Sequence, residues 1–461
     1  MFGNAGDFVR RELLCGGQKI YAYFIDGLVS GDTISDYIFH PLIELESGTM
    51  ESLYRRALEG RVYNCVANAC QDLQDAAVKI VNGFCVVLFP RVGALAFEAK
   101  TGEKRSISAP DVEHTVKGPR DAFTETVRTN TSLLRRHLRT PDLRLDQKTV
   151  GTRSLTMVTV AWIEGLTNPE FVRRLRTRLD EIVVDALIST AAVEEYVSGS
   201  RKTPFPLLEF TERTDKFAQG LLSGRVGLLV DGLPVGYLLP VDLGELMSSP
   251  EDRGMDYLSA SFVRILRWGA LMLSLMLPGI FVALSSFHQQ MIPLPLLKAM
   301  IESRKNVPFS TVGEVAGLLL AFELLQEAGI HLPQSIGQSV SIIGGIVVGS
   351  AAVEASLISP GALIAVSLAG ICGFSLPSRD FAQAVRLCRM GILALSAAAG
   401  LFGATVGLLL LVIHLAGLES LGIPYLSPFS RMEEPEFLRP RMKSSKYRPL
   451  RLQPLDRRNL K

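Results

Sequence analysis

Residues 268–287 run for twenty positions without a charged side chain. An apolar helix of that length, at about 1.5 Å per residue, matches the ~30 Å hydrocarbon thickness of a bilayer. Residues 332–353, 355–378 and 391–416 are three further uncharged stretches. Arg264 and Arg267 flank the first run, and Trp268 stands where an interfacial aromatic would. Pro278-Gly279 lies at its centre. A spanning helix tolerates that pair where neighbours satisfy the freed carbonyls.

Overall composition conceals this pattern. With 20% charged and 48% hydrophobic residues, the averages suit an ordinary soluble protein. Charges are dense up to about Arg267, sparse to Ala416, and return after Ser430. The chain therefore reads as an α/β soluble N-terminal region in two subdomains, followed by an all-α polytopic membrane domain. The expected boundaries are 1–116 and 117–258 for the soluble subdomains. Residues 259–430 form a membrane domain of four to five spans, and 431–461 a basic cytoplasmic tail. Residues 1–12 are polar and charged, so no signal peptide is visible and the soluble half is expected on the synthesis side.

The net charge of +2 gives no electrostatic case for nucleic acid. The basic excess is local, at Arg439, Arg441, Lys443, Lys446, Arg448, Arg451, Arg457, Arg458 and Lys461. Following an apolar segment, these residues read as a tail beside anionic lipid. None of the six cysteines forms a CxxC or a zinc-like cluster with histidine, so reduced thiols are expected.

In the first subdomain, 19–29 and 77–96 read as strands, broken by Asp-Gly and Asn-Gly. Residues 32–46 and 50–59 read as helices, the first interrupted at Pro41 and capped by Asp32 or Ser35. In the second, 121–138 and 168–187 are amphipathic helices and 154–163 is strand-like. Residues 225–230 and 234–239 make a hairpin around Asp231-Gly232. No GxGxxG, Walker A loop, GxSxG or HExxH is present, so no catalytic residue, metal site or cofactor is expected. His40, His114 and His137 have no visible partner. The Arg135–Arg139 run reads as a solvated helix end, with a phosphate or headgroup site as the sharper reading.

Residues 312–328 are apolar but carry Glu314, Glu323 and Glu327. Glu323 and Glu327, four apart, share a helix face. Intramembrane carboxylates cost several kcal/mol unless solvated or paired, so these are candidate intramembrane acids. A re-entrant segment keeps four spans and puts the basic tail inside; a full span makes five and puts it outside. The re-entrant reading is preferred because the tail carries more charge than the 379–389 loop.

Small residues mark two spans. Gln338, Ser341, Gly345, Gly349, Ala352 and Ser356 recur at helical spacing, with Glu354 near the far end. This candidate stripe serves either packing within one molecule or a pore lined by identical helices. Gly403 and Gly407 permit close helix approach.

Several ordered segments carry a resemblance. They include Lys117-Gly118-Pro119-Arg120-Asp121-Ala122-Phe123, NTSLLRR from Asn130, Gly151-Thr152-Arg153-Ser154 and Ala161-Trp162-Ile163-Glu164-Gly165. Gly224-Arg225-Val226 and Val230-Asp231-Gly232-Leu233-Pro234 follow. In the apolar half, ELLQEAGIHLP from Glu323, residues 337–354 and 386–389, and Gly422-Ile423-Pro424-Tyr425-Leu426-Ser427-Pro428-Phe429 also fit. Over about 29–431 the chain resembles the A subunit of the GerA family of spore germinant receptors. One departure is Trp162, where many relatives carry a smaller aromatic; another is a short N-terminus.

The resemblance implies a role in spore germination at the inner spore membrane, with the N-terminal half cytoplasmic. It implies a permease-like B subunit and a lipoprotein C subunit as partners. It also implies a homo-oligomer that releases monovalent cations when nutrient is sensed. A SpoVAF-type paralogue shares the architecture. A non-conducting scaffold is an alternative, because 267 of 461 residues precede the first span. A transporter fits less well, with few spans and no visible inverted repeat.

Overall fold

The computed structural model describes residues 2, 5–62, 66–100, 110, 113, 118–199, 202–331, 349–430, 448, 450–456 and 458. The N-terminal half builds two antiparallel five-stranded sheets. The first contains β1 (Phe8–Cys15), β2 (Gln18–Ile25), β3 (Ala67–Ala69), β4 (Phe84–Phe89) and β5 (Gly93–Glu98), in the order β1-β2-β4-β5-β3. Successive side chains on a strand point to opposite faces. Cys85, Val87 and Phe89 therefore join one core with Ile20, Leu95 and Phe97, roofed by Ile34, Ile38, Leu42 and Leu53. Val86 joins the opposite core with Ile25 and Ala96, covered by helix α1 (Leu73–Val81). Burial on both faces explains the unbroken apolar run of β4.

Three sequence expectations change here. The 77–96 stretch begins as helix: Asp72 caps α1 by accepting from the Asp75 amide at 2.6 Å, and Gly83 follows it at φ +83°. Asn-Gly therefore ends a helix, and the strand turn falls at 90–92. The 31–43 helical run is capped by Ser30, which accepts from the Thr33 amide at 3.3 Å, and not by Asp32 or Ser35. A wide turn over Ser35–Phe39 places Pro41 near the start of the next helical turn, so the run passes it.

The second sheet contains β6 (Leu143–Val150), β7 (Thr156–Ile163), β8 (Glu209–Thr211), β9 (Val226–Val230) and β10 (Gly236–Leu239), ordered β6-β7-β9-β10-β8. Its helices are α2 (Val127–His137), α3 (Pro169–Asp180), α4 (Thr190–Ser198) and α5 (Thr214–Leu222). α2 and α5 cover one face through Leu134, Phe217 and Leu221; α3 and α4 cover the other through Phe171, Leu175, Val193 and Val197. The β9–β10 hairpin turns at Asp231-Gly232, and the Asp231 carboxylate accepts the Val127 amide at 2.9 Å.

The Arg135–Arg139 run is not a uniformly solvated helix end. Arg135 is 1% exposed and donates to both carboxylate oxygens of Asp7, at 2.8 and 3.0 Å. This pair ties the two sheet domains together. Asp7→Ala is expected to leave the guanidinium buried and unpaired, costing roughly 3 kcal/mol. The measurement is the thermal midpoint of the purified chain, and an unchanged midpoint would remove the pair from the account.

The C-terminal half is helical: α6 (Tyr257–Ser286), α7 (Leu294–Arg304), α8 (Thr311–His331), α9 (Pro360–Phe374) and α10 (Arg379–Ala416). Among the described residues, α6 and α10 are long and apolar enough to cross a membrane. α6 leaves the sheets beside Met247 and ends away from them at Ser286. α8 is one continuous helix of 21 residues, about 31 Å at 1.5 Å per residue, packed against α9 and α6. Its length is that of a full span, the other alternative the sequence offered.

α10 reverses direction. Ala399 (φ −135°) and Gly400 (φ +62°) leave helical geometry at its middle. Phe205 lies 6.0 Å from the Phe381 ring and 6.1 Å from the His414 ring, at the two ends of the same run. A straight helix would separate those ends by about 50 Å. Residues 391–416 are therefore not one straight helix. The segment 379–398 goes out, and 401–416 comes back. Arg379, Arg386 and Arg389 sit on the outward arm, within a helix and not in a loop.

After α10 the chain rejoins the sheets through β11 (Glu419–Ser420) and β12 (Ile423–Pro424). Leu421 and Ile423 enter the core of the second sheet with Leu175 and Leu228. Of the basic tail, Arg451 is buried in an ion pair with Asp242 at 3.0 Å, and the Leu455 amide donates to the Leu166 carbonyl at 2.9 Å. This part of the tail docks on protein, where the sequence suggested lipid.

Candidate functional site

Two clusters of charges inside the helical bundle are paired. Glu323 on α8 accepts from Arg389 at 2.8 Å and from Arg386 at 3.0 Å, both on the outward arm of α10. Arg386 also donates to Gln326. Arg389 is 1% exposed, which a charge tolerates only with a partner in place. A second lock sits at the end remote from the sheets. There Glu314 accepts from Arg304 at 3.0 Å, the Ser359 amide at 3.0 Å and the Ser359 hydroxyl at 2.6 Å. These locks staple α8 to α10 and to the start of α9.

The candidate acids separate on this geometry. Glu323 is at the centre of the cluster, whereas Glu327 lies on an exposed part of α8. Of the stripe, Gln338, Ser341 and Gly345 lie outside the described residues. Gly349 is buried, and a Cβ there would meet Leu363 at 3.4 Å. Glu354 is exposed. Gly403 and Gly407 are on the return arm of α10 and face Leu395 and Ile392 of the outward arm.

The junction between sheets and bundle carries residues that sequence reasoning missed. Asp252 is fully buried and accepts from Arg267 at 2.7 Å through both oxygens, and from Arg264 at 3.2 Å. The two arginines that open α6 thus bind a carboxylate of the soluble half. Trp268 packs edge-on against Phe429 at 5.4 Å. Burial pushes the Asp252 carboxyl up, but the Arg267 guanidinium outweighs it and holds the group below its ordinary value. Its contribution is present at neutral pH and lost as pH falls through the carboxylate range.

A second buried chain of charges runs from β8 toward the bundle. Glu209 pairs with Lys216 at 2.7 Å and with Arg225 at 3.3 Å; Arg225 reaches Glu245 at 2.9 Å. Burial raises Glu209. At Glu245 burial also acts upward, yet Arg225, Arg253 and Arg451 bring the carboxyl down to about 2. Glu245 belongs to a short helical turn whose Leu243 and Leu246 pack with Leu271, Leu275 and Phe381 of the bundle. Arg225 was visible only as part of Gly224-Arg225-Val226, because its carboxylate partners are 16 and 20 residues away. The arrangement links sheet and helices by ion pairs, and among the described residues no three His, Cys, Asp or Glu converge on a metal site.

Comparison with known proteins identifies a family. The family model described as Bacillus/Clostridium GerA spore germination protein matches residues 1–451. The chain is 32% identical over 461 residues to "Spore germination protein GerLA" of Bacillus cereus, covering 98% of this chain and 94% of the relative. It is 32% identical over 432 residues to "Spore germination protein KA" of Bacillus subtilis (strain 168), covering 93% and 79%. It is 34% identical over 424 residues to "Uncharacterized membrane protein YfkQ" of the same organism, covering 91% and 82%. Among solved structures, the N-terminal domain of the A subunit of the Bacillus megaterium spore germinant receptor GerK3 is 26% identical. That match covers 51% of this chain and 89% of the other, with a TM-score of 0.40. With a family match across nearly its whole length, the chain belongs to the GerA family of spore germination proteins.

Proposed function

We propose that this chain is the A-type subunit of a germinant receptor, acting in spore germination as a multi-pass protein of the inner spore membrane. The observation that carries the reading is the family match over residues 1–451, which includes both the sheet domains and the helical bundle. The relatives' names supply germination. The two long apolar helices support insertion in a membrane. α6 leaves from the sheets and the chain after α10 returns to them, so the number of crossings is even. The N-terminal half and the docked tail then share one face of the membrane, the cytoplasmic one in this reading.

A permease-like B subunit and a lipoprotein C subunit complete the assembly in this proposal. Copies of the chain associate through the bundle and provide a path for monovalent cations. Support for a path rather than a plain anchor comes from the paired charges Glu323, Arg386 and Arg389, which a lipid anchor does not need.

The test is deletion of the gene in the spore-forming source. Mutant spores are expected to lose early monovalent cation release and the later optical-density drop for at least one nutrient. The intact gene should restore both. Parental responses to every nutrient in the deletion strain would overturn the proposal.

A further inference from the structure

A cleft of about 580 Å³ opens between α4, the segment 202–208 and the first turn of α10. It is therefore walled jointly by the second sheet domain and the base of the α10 hairpin. Glu194 on α4 and Asp380 on α10 line it, with Ser198, Thr203, Phe205 and Gln383. Glu195 adds a third carboxylate and Lys202 the one lysine of the lining, so the cleft is acidic on balance. No hydrogen bond or ion pair reaches the Glu194 or Asp380 side chain from any described residue. Every other half-buried or buried carboxylate discussed above has a cationic partner.

An independent feature lies behind the acids. Tyr237 of β10 is fully buried, packs with Val193, Val197 and Leu208, and its hydroxyl has no hydrogen-bond partner among the described residues. The carboxylates whose fields reach it are Glu194 and Asp380. A buried donor without an acceptor costs about 1–3 kcal/mol. Burial, then the charge of Asp380, pushes the Glu194 carboxyl up to about 7. Arg379, the neighbour of Asp380 in the chain, is the cation whose field reaches that carboxylate, and no cation among the described residues forms an ion pair with Glu194. The opposite wall is apolar, built from Pro204, Phe205, Pro206 and Leu207.

We propose that this cleft binds a small organic ammonium compound, with its charged head between Glu194 and Asp380 and its apolar body against Phe205 and the flanking prolines. The dimensions suit a molecule of this class, because ligand cavities begin at about 300 Å³. A bare divalent ion would use the acids but leave the apolar wall without a role. A bound ammonium group cancels the repulsion between α4 and the hairpin base and draws the two together. The inference is independent of the family assignment, since it rests on residues of the junction alone.

The experiment uses the full chain in detergent micelles at pH 8, on the alkaline side of the raised Glu194 carboxyl and with benzylamine protonated. Benzylamine is the probe and benzyl alcohol its neutral counterpart, with binding followed by calorimetry and by ligand-observed NMR. Saturable binding of benzylamine and none of the alcohol is expected. Glu194→Gln and Asp380→Asn should each weaken binding at least tenfold, while Glu354→Gln, far from the cleft, should leave it unchanged. Glu194→Asp and Asp380→Glu keep the charge and should retain more binding than the amides. Absence of saturable benzylamine binding, equal binding of the alcohol, or full binding by the amide variants would each overturn the proposal. Thermal unfolding of every variant separates loss of the site from loss of the fold.

Discussion

Replacing Gly403 with alanine is expected to destabilise the bundle by roughly 3 kcal/mol, at the upper end of overpacking effects. A Cβ there would fall far inside van der Waals distance of the Leu395 carbonyl oxygen. That oxygen is backbone, on the opposite arm of the hairpin, and cannot turn aside as a side chain can. Relief would require the two arms to part along their whole length. Gly407→Ala is the internal comparison. Its nearest neighbours are Ile392 Cγ1 at 3.0 Å and Leu395 Cδ1 at 3.2 Å, which can shift by a few tenths of an ångström. A cost of about 1 kcal/mol is expected there. Thermal unfolding of detergent-purified variants, followed by helical circular dichroism, measures both. If G403A melted with the parent, the arms would not be in the contact described.

The second large effect concerns Glu323. Its removal in Glu323→Ala leaves Arg389 buried and Arg386 beside it, with the carboxylate of both gone. Breaking such a pair from one side costs about 3–5 kcal/mol, because the remaining charge stays desolvated. The double variant Glu323→Leu with Arg389→Met removes the charge as well and should recover most of that loss. A double variant as unstable as the single one would show that packing, not charge, sets the cost. Additivity is not expected, because the two side chains touch.

The sequence made the division into a charged half and an apolar half legible, since twenty uncharged positions leave few alternatives. It also made the β9–β10 hairpin legible, because Asp231-Gly232 between apolar runs is a strong local signal. β1 was missed. Arg10, Arg11 and Glu12 interrupt its apolar pattern, and their exposure shows an edge strand whose charges meet water. α1 was misassigned because Ala77–Val81 is rich in β-branched residues, while the deciding signal, the Asp72 cap, precedes that window.

The hairpin in α10 was invisible for a different reason. Ala398-Ala399-Gly400 resembles the interior of a small-residue span and carries none of the proline or charge that usually marks a turn. Arg386 and Arg389 reinforced the error, because charges between apolar runs normally mark loops. Their neutralising partner lies 63 and 66 residues away on α8. Local patterns do not report such pairs. The same holds for Glu194 and Asp380, which only the folded junction brings to one cleft.

Leu421 and Ile423 complete the core of a domain whose other parts were made some two hundred residues earlier. A ribosome synthesises them after every helix of the bundle. The second sheet domain therefore carries an apolar slot that stays open until the last helix has been delivered and its end has returned to the correct side. Closure of that slot by Leu421 and Ile423 therefore waits until the whole bundle has been made. A chain halted before Leu421 leaves that part of the second sheet's core unfilled.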